Sequence, residues 1–113
     1  VDMGADFNRT VVTMVGEPEK VLKTVIECTR IATRIIDMSK HTGEHARMGA
    51  VDVVPFIPIS GISMEQCVNL SKRYAESVSH ELDLPIYLYA EARSVSALGL
   101  QEADCFSRLD SSF

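Results

Sequence analysis

Ile36-Asp37-Met38-Ser39-Lys40-His41-Thr42-Gly43-Glu44-His45-Ala46-Arg47-Met48-Gly49-Ala50-Val51-Asp52-Val53-Val54-Pro55-Phe56-Ile57-Pro58 is the stretch where one hydrophobic period gives way to another. Before it, apolar residues recur at helical spacing; after it, they run together as in a strand. Two histidines, two glycines, a glutamate and an arginine fall between His41 and Gly49. Polar groups crowded between two buried elements suggest a site.

Working back from that stretch, Glu17-Pro18 opens a helix, since proline is tolerated in a first turn where its missing N–H would be unpaired anyway. Val21, Val25, Cys28, Ala32 and Ile35 form its apolar stripe, widened by Leu22, Ile26 and Ile36, so one face should lie on a sheet. Residues 8–16 are rich in β-branched side chains and close on Gly16, which predicts a strand. Asn8 and Arg9 stand at its mouth, within reach of a bound anion. Residues 1–7 read as the tail of a strand followed by a turn, with Asp2, Gly4 and Asp6 as punctuation. Taken alone, Asp2 also fits a turn aspartate bonding its own backbone.

Working forward, residues 50–59 read as a strand whose two prolines remove ladder donors and so place it at an edge or a bulge. Ser63 and Gln66 have capping-box spacing. The helix they open carries Met64, Cys67, Val68, Ser71, Tyr74, Ala75, Val78 and Leu82 as its core stripe and ends near Asp83, with His80 off the stripe as a solvated histidine. Leu84-Pro85 sets off a last strand over residues 86–90. Residues 93–113 are less regular; a short helix over 101–109 is permitted and disorder is expected toward the end. The order strand, helix, strand, helix, strand with amphipathic helices predicts an α+β sandwich.

Composition narrows the function. The chain has 113 residues, 46% of them hydrophobic, and a formal charge of -5, the profile of one small soluble globular domain. Without a basic stripe to neutralise phosphates, a nucleic-acid partner is not expected. No apolar run approaches the roughly 20 residues of a membrane span. Cys28, Cys67 and Cys105 form no C-x-x-C, and the first two occupy apolar helical positions, which predicts buried thiols in a reducing compartment. No signal peptide is visible, which points to the cytoplasm. The sequence opens on Val1 rather than Met, leaving its native start open.

Chemically, His41 and His45 each offer a group that exchanges a proton near neutrality, and Arg47 adds a fork of donors suited to a carboxylate. A solvated helix-to-strand loop is the alternative. His41 to His45 also spell H-x-x-E-H, a zinc-peptidase pattern that requires a helix. Gly43 and Gly49 are poor helix residues, and Glu76, His80 and Glu91 offer no distinctive spacing for a third ligand.

The whole stretch resembles the N-terminal subdomain of the formiminotransferases (the formimidoyltransferase-cyclodeaminase family), with its pattern I-D-M-S-[RK]-H-x-G-E-H-x-R-M-G-A-x-D-V-x-P-F-I-P. The likeness runs over residues 1 to about 92 and takes in Asn8-Arg9-Thr10-Val11, Val15-Gly16-x-Pro18 and Pro85-Ile86-Tyr87-Leu88-Tyr89. It implies a ferredoxin-like two-layer β-α-β-β-α-β sandwich whose opening strand and helix have no counterpart here, followed by a divergent tail over residues 93–113. It further implies transfer of a formimino group from N-formimino-L-glutamate to tetrahydrofolate as co-substrate, within histidine and one-carbon metabolism, with no metal. His45 would be the general acid-base, with Asp2 facing it as orienting carboxylate. Arg47, His41, Asn8 and Arg9 would bind substrate. The family places folate between two subdomains, so this chain is expected to be weak or inactive without a second subdomain or a second copy. A non-catalytic folate-binding or dimerisation module descended from the enzyme and, more remotely, the zinc peptidase remain as alternatives.

Overall fold

The computed structural model describes residues 1–43 and 49–92. Glu44, His45, Arg47, Cys105 and the tail over residues 93–113 lie outside the described residues. Among the described residues the architecture is α+β, with two α-helices and a two-stranded antiparallel sheet. The chain divides into two units, Val1–Val54 and Pro55–Phe113.

The first unit opens with a hairpin. Strand β1 (Asp2–Gly4) pairs with β2 (Arg9–Val11) in the register Asp2↔Val11, Met3↔Thr10, Gly4↔Arg9. The strand tail and turn expected over residues 1–7 are both present. The longer strand expected over residues 8–16 is not: pairing covers Arg9–Val11 alone. Val12 and Val15 are exposed.

Helix α1 (Pro18–Ile35) starts where expected, with Glu17 as N-cap and proline in the first turn. Its covered face is rotated from the expected stripe. Leu22 and Thr29 are buried, with Val25, Ile26, Ala32 and Thr33 half-buried, while Cys28 and Ile35 are exposed. Thr29 can sit at a buried position because its hydroxyl donates to the Val25 carbonyl at 2.8 Å, so no polar atom goes unpaired. Cys28 is therefore not the buried thiol its spacing suggested.

In the second unit, helix α2 (Met64–Leu82) is entered through a complete capping box. The Gln66 N–H donates to Ser63 Oγ at 3.2 Å, and the Ser63 N–H donates to Gln66 Oε1 at 2.8 Å. Such a cap is worth about 1 kcal/mol. Cys67, Leu70, Tyr74, Ala75 and Val78 are buried at spacings of one helix face, and the Phe56 ring packs on Tyr74 with centroids 6.0 Å apart. Leu70 joins the core although its spacing was not singled out, and Met64 is exposed instead of buried. Val78 is fully covered, which is worth about 1.5–3 kcal/mol. Asp83 ends the helix in the left-handed region, with φ of 53°, and His80 is exposed as expected.

Neither later strand forms a ladder among the described residues. Over residues 52–59 burial alternates residue by residue, the pattern of a strand with one covered face, yet no partner pairs with it. Residues 86–89 likewise have no ladder and run into a 3-10 turn, Ala90–Ala92, that contacts α2. The expected alternation of strands and helices is thus realised as a hairpin followed by helices. Helices form from local bonds, whereas strands need a neighbour, and Pro55 and Pro58 remove two donors from the first segment.

Ala90 enters its turn with φ of 51°, where a Cβ meets the backbone and costs about 1–2 kcal/mol. Ala90→Gly should therefore raise the unfolding free energy by about 1 kcal/mol, seen as a higher urea midpoint at unchanged slope. A lower midpoint would contradict this backbone assignment.

Candidate functional site

Three of the residues named from sequence lie on the β1–β2 hairpin. Asp2 and Val11 face each other, as do Gly4 and Arg9, and directly opposed residues project to the same side of a sheet. Asp2 and Arg9 therefore share one face, with no side chain at Gly4 between them. Both are exposed. The Arg9 guanidinium lies 5.6 Å from the centre of the Phe7 ring, a cation–π contact that holds it near the turn.

The turn itself positions Asn8. Its N–H donates to the Ala5 carbonyl at 3.1 Å, closing the turn, and its φ of 50° is left-handed. Asparagine tolerates this region because its short polar side chain bonds locally. From there Asn8 Nδ2 reaches the Thr42 carbonyl oxygen at 2.9 Å and His41 Nδ1 at 3.1 Å. Residues more than thirty positions apart are joined by one amide.

The other end of that link is set by the exit from α1. Ile36 closes the helix by donating its N–H to Ala32, and Asp37 then caps a 3-10 turn, Met38–Lys40. Asp37 Oδ1 accepts from the Ser39 hydroxyl at 2.6 Å and the Ser39 N–H at 3.1 Å, while Lys40 Nζ lies 3.6 Å from Oδ2. The Ser39 hydroxyl, then its N–H, then Lys40 and the charge of His41 hold the Asp37 carboxyl below its ordinary value, against slight burial. His41 follows directly, donating its N–H to the Met38 carbonyl at 3.3 Å. Asp37 was not named from sequence as part of the site. The signal was present in Asp37-Met38-Ser39, an aspartate two residues before a serine at a helix exit, which favours an Asx-type turn.

Asp2, Asn8, Arg9 and His41 thus belong to one unit, and the structure directly joins Asn8 to His41. His45 and Arg47, four and six positions further on, lie outside the described residues, as does the Glu44 of the zinc pattern. No group of three or more His, Cys, Asp or Glu side chains suited to a metal occurs among the described residues. No described helix is long and apolar enough to cross a membrane.

Comparison with known proteins bears on what this arrangement does. The model of the formiminotransferase domain, N-terminal subdomain, matches residues 1–102. The chain is 53% identical over 92 residues to the formimidoyltransferase-cyclodeaminase of Mus musculus, covering 81% of this chain and 17% of that protein. It is 49% identical over 96 residues to the formimidoyltransferase-cyclodeaminase of Dictyostelium discoideum, covering 85% of this chain and 18% of that protein. With the glutamate formimidoyltransferase of Streptococcus pyogenes serotype M1 it shares 44% identity over 88 residues, 78% of this chain and 29% of that protein. The chain therefore spans less than a third of the length of each of these relatives.

The Asp37 geometry makes a pH prediction. Its folded-state pKa is lowered from 3.8, so the stabilisation from the Ser39 and Lys40 contacts is present above the unfolded value and lost as pH falls through the folded one. The Ser39 amide resonance should accordingly titrate with a midpoint below 3.8. Asp37→Ala should remove that titration, and a midpoint at or above the ordinary value would refute the cap.

Proposed function

The chain belongs to the formiminotransferase family, matching its N-terminal subdomain, and from that membership we propose that it supplies the acid-base half of a formimino-transfer site. The donor is N-formimino-L-glutamate and the acceptor tetrahydrofolate, a co-substrate. Support comes from the relatives, which are named formimidoyltransferases, and from the hairpin, which carries Asp2, Asn8 and Arg9 in the same unit as His41. The observation that carries most weight is the family match over residues 1–102, which spans every residue assigned a role.

In this reading His45 is the general acid-base. The N5 amine of the folate attacks the formimino carbon; as that C–N bond forms, His45 accepts the amine proton. The bond from that carbon to the glutamate nitrogen then breaks as His45 returns the proton to the departing amine. No electrons leave or enter overall, and 5-formimino-tetrahydrofolate and glutamate result. Asp2 holds the His45 imidazole in one orientation and stabilises its protonated form. Arg47 grips a substrate carboxylate by paired hydrogen bonds, and His41, Asn8 and Arg9 line the pocket.

The same proposal covers the architecture. Residues 1–92 correspond to a ferredoxin-like subdomain that lacks counterparts of the opening strand and helix, and residues 93–113 are a divergent extension. A proton carrier alone gives only part of the rate, because holding both substrates in reacting geometry supplies roughly 7–11 kcal/mol of a barrier. These 113 residues are therefore weak or inactive until a second subdomain, or a second copy, completes the folate cleft. We place the reaction in the cytoplasm.

The test is turnover of formiminoglutamate and tetrahydrofolate by the purified chain, with and without the C-terminal subdomain of a glutamate formimidoyltransferase. Turnover should appear or rise on its addition and fall by about 10²–10⁴-fold in His45→Ala. Unchanged activity in His45→Ala, or none with the added subdomain, would overturn the assignment and leave a non-catalytic module.

A further inference from the structure

The amide of Asn8 does more than tie two segments together. A carbonyl oxygen can only accept a hydrogen bond, so the Asn8 side-chain atom 2.9 Å from the Thr42 oxygen must be the NH2 group. That group has a second hydrogen, and 3.1 Å away lies His41 Nδ1. Nδ1 must therefore accept. An imidazole nitrogen that accepts carries no proton, so the neutral ring bears its hydrogen on Nε2.

The backbone makes Asn8 the residue suited to this task. It closes the turn ahead of the Gly4↔Arg9 pair and holds a φ of 50°, so its side chain leaves the hairpin from a fixed point. Glycine would keep that backbone but bring no amide. Aspartate would keep the shape but face the Thr42 carbonyl and Nδ1 with acceptors alone. At the other end, the Asp37-capped turn fixes the His41 backbone, so the ring is held from both sides. His41 is exposed, and among the described residues its ring makes no hydrogen bond beyond the one with Asn8.

We propose that Asn8 is a positioning residue that holds His41 as the Nε2–H tautomer, so that His41 presents a hydrogen-bond donor to an acceptor oxygen of the substrate. This rests on the formimino-transfer reading and adds a division of labour to it. His41 binds, and His45 moves the proton. A ring whose Nδ1 is occupied by Asn8 and whose Nε2 already carries a hydrogen has no free basic nitrogen to offer the reacting amine.

Two measurements on the full chain test the assignment independently. In the first, long-range 1H–15N correlation at pH 8 reads the tautomer directly. His41 Nδ1 should resonate as an unprotonated nitrogen and Nε2 as a protonated one. Asn8→Gly, which keeps the left-handed turn, should release the ring to a mixture, and Asn8→Asp should draw the proton to Nδ1. A protonated Nδ1 in the parent chain, or an unchanged tautomer in Asn8→Gly, would overturn the proposal.

The second measurement is steady-state kinetics in the presence of the added C-terminal subdomain. Asn8→Gly and His41→Ala should raise KM about tenfold, the worth of one hydrogen bond, with the smaller effect on kcat. His41→Gln, which keeps an N–H donor and cannot shuttle a proton, should recover much of that loss. A fall in kcat for His41→Gln as deep as that for His45→Ala would make His41 an acid-base group and contradict the proposal. Because the tautomer is read without turnover, an inactive assembly with an Nε2–H His41 would sink the formimino-transfer reading while the role of Asn8 in fixing the ring stands.

Discussion

One side-chain amide, that of Asn8, spans the gap between the hairpin turn and the loop beyond α1, and the arrangement of the candidate site depends on it. Both ends are fixed by inexpensive local devices. A left-handed residue closes the turn, and an aspartate caps the 3-10 turn on the other side. Neither device would orient a catalytic group alone. Joined by the Asn8 donors, they tie His41 to the hairpin that carries Asp2 and Arg9, whose register leaves little freedom of direction. All of these groups are exposed, so individual contacts are worth little in stability. Their value lies in geometry, where a hydrogen bond that sets a tautomer decides which chemistry is open to a ring.

What could be read in the sequence divides along the physics of the elements. Both helices were legible, because periodicity, Pro18 in a first turn and the Ser63/Gln66 pair are local signals that need no knowledge of the rest of the chain. Which face of α1 is covered was less legible. Cys28 and Ile35 fit the apolar period as well as Leu22 does, and the helix covers Thr29, a residue hydrophobicity ranks below them, because its hydroxyl is satisfied within the helix. Strands were the hardest to place. Residues 52–59 show the alternation of a half-covered strand, but a ladder is a relation between two segments, and one segment cannot reveal its partner.

The candidate site was legible as a list and illegible as a geometry. Asp2, Asn8, Arg9 and His41 were named from a family pattern and from their places at strand ends and loops. That Asn8 would donate to His41 follows from a positive φ and a turn, neither of which spacing discloses. The assigned roles of His45 and Arg47 rest on the family. Val53, Ile57 and Ile59 are more than half exposed on the uncovered side of their segment, at 57%, 72% and 74%. Such alternating exposed apolar residues are what completion of a sheet would cover, in keeping with the proposal that activity needs more than these 113 residues.

The tie between the hairpin and the loop is read by a nuclear Overhauser measurement on the Asn8 side-chain NH2 in the full chain. Two resolved, slowly exchanging amide hydrogens are expected, one with a cross-peak to the His41 ring proton next to Nδ1. Two averaged, solvent-exchanging hydrogens without a cross-peak to His41 would show that the hairpin and the loop are not tied, and the site as described would come apart.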